Sequence, residues 1–95
     1  MYDYTGWIVR ATAGRDKDGL FCVVGVDQEQ HRLLLADGKR RKAAHPKRKK
    51  TGHVEPLDRA EYGHPAIGKL KQGKPVSDRE LRQALAAFKE GITLG

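Results

Sequence analysis

The longest apolar run in the chain, Leu20-Phe21-Cys22-Val23-Val24-Gly25-Val26, is only seven residues long, and that brevity most narrows the fold. Seven residues are too few for an ordinary helix. The run is rich in β-branched side chains that suit a pleated surface, so it reads as a strand buried along most of its length. Gly25 marks a site for a bend or bulge where a small sheet curls. Comparable short runs flank it. Residues 7–12, Trp7-Ile8-Val9-Arg10-Ala11-Thr12, read as a first strand, residues 32–36 as a third and residues 53–57 as a last one. Asp37-Gly38 is a two-residue hairpin signal, which predicts a fourth strand over residues 39–44, antiparallel to the third. Residues 45–52 contain Pro46 and four adjacent cations, and read as a loop. Five short strands joined by turns predict a small β-barrel with Trp7, Val9, Phe21, Val23, Leu33, Leu35 and Val54 in its core. Trp7 reads as a core or barrel-edge residue rather than a base-stacking platform.

The pattern changes after residue 58. Residues 59–76 read as an irregular linker, with one or two helical turns over residues 66–72 that point Ile67 and Leu70 inward. A helix is predicted over residues 77–91. Ser77-Asp78-Arg79-Glu80 fits a capping box, and Val76 and Leu81 are placed as a hydrophobic staple. Leu81, Ala84, Leu85 and Phe88 recur on one face. Asp78 and Arg82 are spaced for an i, i+4 ion pair, and Gly91 is a stop signal. The fold class is therefore mostly β with a C-terminal helix. Packing of the helix on the barrel accounts for its apolar face; docking of a partner protein through Leu81, Leu85 and Phe88 is the alternative.

The charge is concentrated. Lys39, Arg40, Arg41, Lys42, Lys47, Arg48, Lys49 and Lys50 are eight cations with no acid among them, and taking them from a net charge of +7 leaves −1. A localised basic stripe is the electrostatic footprint of a polyanion binder. The stripe holds Pro46 and no large apolar residue, which favours nucleic acid over a membrane surface. Lysine and arginine neutralise phosphates and release counterions. Arginine adds bidentate contacts, which makes Arg40, Arg41 and Arg48 the specificity candidates. The loop of residues 13–19, Ala13-Gly14-Arg15-Asp16-Lys17-Asp18-Gly19, is neutral, so its charge does not decide whether Arg15 and Lys17 meet phosphate. Gly14 suits a backbone conformation that a Cβ disfavours.

Other functions find little support. The four histidines, His31, His45, His53 and His64, lack metal-ligand spacing, and no metal or cofactor is expected. No P-loop, nucleophile elbow or zinc-protease motif occurs. The single cysteine, Cys22, lies in an apolar run and reads as a buried hydrophobe. No apolar run approaches the roughly 20 residues of a membrane span, and the first residues lack signal-peptide character, so a cytoplasmic monomer is expected.

Residues 6–57 resemble the KOW-containing ribosomal protein L14e family, and in particular its small bacterial KOW domain-containing RNA-binding relatives. The resemblance runs through Gly6-Trp7-Ile8-Val9, the stretch of residues 13–19, Phe21-Cys22-Val23-Val24-Gly25-Val26, Leu35-Ala36-Asp37-Gly38-Lys39-Arg40-Arg41-Lys42, Pro46-Lys47-Arg48-Lys49 and His53-Val54-Glu55-Pro56-Leu57. It implies an SH3-like β-barrel over residues 1–58 and binding of RNA, ribosomal RNA above all. It also implies that Gly14, Arg15 and Lys17, in the KOW loop, approach RNA beside Lys39, Arg40, Arg41, Lys42, Lys47, Arg48, Lys49 and Lys50. A general nucleic-acid binder is the alternative. Reversing Arg40, Arg41, Arg48 and Lys49 to glutamate is expected to abolish binding and leave the fold intact.

Overall fold

The computed structural model describes residues 1–94. Strands β1 (Ile8–Ala11), β2 (Leu20–Asp27), β3 (Arg32–Ala36), β4 (Lys47–Lys49) and β5 (Val54–Asp58) form one antiparallel sheet in the order β4-β3-β2-β1-β5. A single 3₁₀ turn, Thr51–His53, carries the chain from β4 to β5, and helices α1 (Pro65–Lys71) and α2 (Asp78–Leu94) follow. The fold is thus mostly β with a C-terminal helix. The last strand returns to pair with the first, Val9 opposite Pro56 and Ala11 opposite Val54. The ladder does not continue from β5 to β4, so the sheet is not closed by hydrogen bonds. The register slips between Val23 and Gly25, which puts a bulge beside the glycine that suggested one.

Alternation along the strands gives the sheet two buried faces. On one face Val9, Ala11, Phe21, Val23, Leu33 and Leu35 cluster, with Trp7 and Val54 half-buried against them. Every core residue expected from the sequence belongs here. On the other face Ile8, Cys22 and Ala36 meet Ile67, Leu70, Leu81 and Leu85 of the helices. The sheet side of this second core has one large residue, Ile8, beside the smaller Cys22 and Ala36, which makes it less legible in the sequence than the first. Burial, with a smaller contribution from the charge of Asp37, pushes the Cys22 thiol up to about 12, so Cys22 is a packed apolar group.

The helices start where their caps dictate. His64 Nδ1 accepts from Ala66 N at 3.1 Å and Pro65 occupies the first turn of α1. At α2, Ser77 Oγ accepts from Glu80 N at 3.1 Å and Glu80 Oε1 accepts from Ser77 N at 3.3 Å, the reciprocal capping box. Glu80 also receives Lys69 Nζ at 2.7 Å, which ties α2 to α1. The bond from Lys69, then that from Ser77, holds the Glu80 carboxyl below its ordinary value. The helix runs through Gly91 rather than stopping there. A single interior glycine costs a helix only about 1 kcal/mol, so it does not terminate one unaided.

Two expectations about the basic stretch are reversed. Residues 39–44 form turns and bends, not a strand, and the strand β4 lies inside residues 45–52, expected as a loop. The cause at the first site is Asp37. Its Oδ1 accepts from both Lys39 N and Arg41 N at 2.9 Å, while Arg41 O accepts from Asp37 N at 3.0 Å and Gly38 N at 3.1 Å. The chain closes into a tight loop instead of a two-residue hairpin. The i, i+4 pair expected within α2 is also absent, because this loop takes both partners. Asp78 Oδ1 accepts from Ala43 N, and Arg82 Nη1 donates to Gly38 O, each at 2.7 Å. At the second site Pro46 stands just before the strand, and β4 pairs only with β3, so the missing amide costs no ladder bond.

Candidate nucleic-acid interface

Loop 12–19 follows β1 and is made of successive turns: Lys17 N donates to Gly14 O at 3.2 Å and Gly19 N to Asp16 O at 2.9 Å. Gly14 sits at φ +80°, a conformation that favours glycine, and a Cβ there would lie 3.0 Å from Lys49 Nζ and crowd the lysine that crosses it. Three bonds gather the basic segments around this loop. Arg41 Nη2 reaches Asp16 Oδ2 at 2.9 Å, Lys49 Nζ donates to Ala13 O at 2.7 Å, and Thr12 N donates to His53 O at 2.9 Å.

The arrangement sorts the predicted site residues into two groups. Arg41 and Lys49 turn inward, Arg41 part-exposed and Lys49 buried. Lys49 is 8% exposed and Asp16 4%. Burial pushes the Asp16 carboxyl upward, but the hydrogen bond from Arg41, the Arg41 charge and the nearby Lys49 and Lys47 outweigh it and hold the group below its usual range. Lys47 is half-buried at the edge of this cluster, and Arg48, on the other side of β4, pairs with Asp27 Oδ2 at 3.3 Å. The remaining cations, Arg15, Lys17, Lys39, Arg40, Lys42 and Lys50, are exposed, and none of them enters an ion pair among the described residues. Reversal of Arg41 and Lys49 therefore strikes the scaffold as well as the surface, and is not the clean test of binding that the sequence suggests.

The geometry also resolves the neutral composition of loop 12–19. Asp16 is taken by Arg41 from inside. Asp18 is bridged by Arg10 Nη1 at 2.8 Å, and Arg10 also holds Glu55. The two acids are answered by cations from elsewhere, which leaves Arg15 and Lys17 facing solvent. Arg10 gave no functional signal in the sequence, since it sits in a strand outside the basic stripe.

Two other surfaces lie apart from these loops. At the opposite end of β1, Trp7 packs edge-on with Tyr2 and Tyr4, centroids 5.9 and 4.7 Å away, and Arg59 lies over its ring at 5.5 Å. The helix face proposed as a docking surface is covered by the chain's own sheet: Leu81 is 0% and Leu85 7% exposed, and Phe88 meets Tyr62 edge-on at 5.2 Å. Among the described residues there is no group of three side chains suited to hold a metal ion, and no helix long and apolar enough to cross a membrane. No protein-family model matches the chain, and no curated protein matches it.

Proposed function

We propose that this protein is a non-catalytic RNA-binding protein whose sheet is a small SH3-like barrel of the KOW type, and that it engages structured RNA, ribosomal RNA above all, through the loops at one end of that sheet. The barrel reading is supported by a meander whose fifth strand returns to the first, and by a strand-only cluster whose six buried members are at most 1% exposed. Burial of this face without help from the helices is what a sheet curled over itself would provide.

The observation that carries the RNA reading is the sorting of charge. Every acid of loop 12–19 is engaged by a cation, while Arg15, Lys17, Lys39, Arg40, Lys42 and Lys50 stay exposed and unpaired on segments bonded to one another. Clustered cations neutralise successive phosphates, and their fixed backbone gives the contacts an orientation. With about six contacts to a single strand, the logarithm of affinity falls with the logarithm of salt at a slope of about −4. Changing Lys39, Arg40 and Lys42 together to alanine should bring that slope to about −2 without lowering the melting temperature appreciably. An unchanged slope and affinity in that variant would refute the proposal. Competition with DNA of matched length at fixed salt tests the RNA preference.

A further inference from the structure

Three of the exposed cations, Lys17, Lys39 and Arg40, border an open groove of 570 Å³ that is also lined by α2. This volume lies within the roughly 300–1,000 Å³ of small-molecule sites. One wall is loop 12–19 with Lys17, and the facing wall is the Asp37 loop with Lys39 and Arg40. Leu20 and Ala86 contribute apolar surface between them, while Leu85, almost wholly buried, adds little. Two acids also line the groove, but each is engaged. Asp18 pairs with Arg10, and Asp37 Oδ1 accepts the amides of Lys39 and Arg41. Arg82, at the rim, is fixed by its 2.7 Å bond to Gly38 O, so α2 and the Asp37 loop move as one wall.

We infer that this groove holds one unpaired nucleotide of the bound RNA, with its base against the Leu20 and Ala86 surface and its phosphate between Lys17 and Lys39–Arg40. The inference rests on the RNA-binding reading above and adds to it a preference for a strand interrupted by an extruded base. A continuous duplex offers phosphates but keeps its bases stacked, so it meets the cations and leaves the apolar floor unused. Through Ala86 the C-terminal helix becomes part of the recognition surface and not only a cover for the sheet.

The test uses the full chain and two RNA duplexes of the same sequence, one carrying a single bulged nucleotide. The wild-type protein should bind the bulged duplex at least tenfold more tightly at the same salt. Ala86 is exposed, so Ala86→Glu should fold normally by thermal melting, and it should bring the ratio of the two affinities close to one. Gln83→Glu adds the same charge to the same helix outside the groove and should keep the ratio. Equal wild-type affinities, or a ratio that survives in Ala86→Glu, overturn the groove assignment and leave RNA binding standing. Failure to bind either RNA at low salt overturns both.

Discussion

Residues 39–42, Lys-Arg-Arg-Lys, and residues 47–50, Lys-Arg-Lys-Lys, carry the same charge in the same number of residues, yet the fold holds them by different means. The first is a loop, closed by Asp37 and clamped by Asp78 and Arg82 of α2. The second is mostly strand, with Lys47, Arg48 and Lys49 opposite Leu35, Leu34 and Leu33. They nevertheless do one thing in common. Each turns a single cation inward onto loop 12–19, Arg41 to Asp16 and Lys49 to Ala13 O. A basic run is therefore not equivalent to a basic surface. Part of its charge orders the loop that the rest of the surface is built around.

The clamp on the first segment is the point at which this comparison is most easily broken. Gly38 has φ +76°, and a Cβ on it would lie 2.1 Å from Asp78 O and 2.9 Å from Asp78 C. Both atoms are backbone, so no side-chain rotation relieves the clash. Gly38→Ala should cost about 3 kcal/mol in chemical denaturation, from overpacking together with left-handed strain. A loss below about 1 kcal/mol would mean that the Asp37 loop can leave α2 freely, and the two basic segments would then differ far less in rigidity.

The inward tie of the same segment ranks next. Arg41 Nε is already buried with no hydrogen-bond partner, so removing the Asp16 carboxylate strands the guanidinium further. Asp16→Ala should cost about 2 kcal/mol at neutral pH, below the full penalty of a buried pair because Arg41 is part-exposed. The pH dependence has a definite sign. The folded pKa of Asp16 lies below the ordinary carboxylate value of 3.8, so its contribution is present in full above that value and is lost as pH falls through it toward the lower folded pKa. The stability gap between wild type and Asp16→Ala should stay constant near neutrality and narrow below about pH 4. A gap that persists at low pH would show that the carboxylate acts by shape rather than charge.

What the sequence conveyed and what it withheld follow from the range of the interactions. Alternation and capping are local, so the Val9, Phe21, Val23, Leu33 and Leu35 core and the Ser77–Glu80 box were readable. The Asp37 turn departs from the hairpin expectation because Asp-Gly makes a two-residue hairpin only when nothing else captures the backbone. Here the Asp37 side chain captures Lys39 N and Arg41 N, and the loop so closed is held by Asp78 and Arg82, some forty residues away. The same holds for the site. Arg15 and Lys17 looked neutralised by their sequence neighbours Asp16 and Asp18, whereas the partners of those acids are Arg41 and Arg10. Which cations remain for a ligand depends on such distant pairings, and composition does not encode them. Local strand alternation, by contrast, would have separated Arg48 from Lys47 and Lys49 had residues 47–49 been read as a strand.

That separation supplies the smallest effect and the finest test of the comparison. Arg48 lies on the opposite side of β4 from Lys47 and Lys49, is 67% exposed, and meets Asp27 through Nε at 3.3 Å. Asp27 does not depend on it. The backbone bond from Gln30 N, at 3.1 Å, is the first cause of its lowered pKa and precedes the contribution of Arg48. An exposed pair of this kind contributes little, so Arg48→Ala should change stability by no more than about 0.5 kcal/mol. Its effect on the proposed RNA binding should be equally small. Lys50→Ala is expected to reduce the salt slope by about 0.7, the share of one phosphate contact on a single strand, whereas Arg48→Ala should leave the slope within error of wild type. If the two variants instead reduce the slope equally, RNA reaches both sides of β4. Segment 47–50 would then meet the ligand as an open strand edge, while segment 39–42 meets it from one side only.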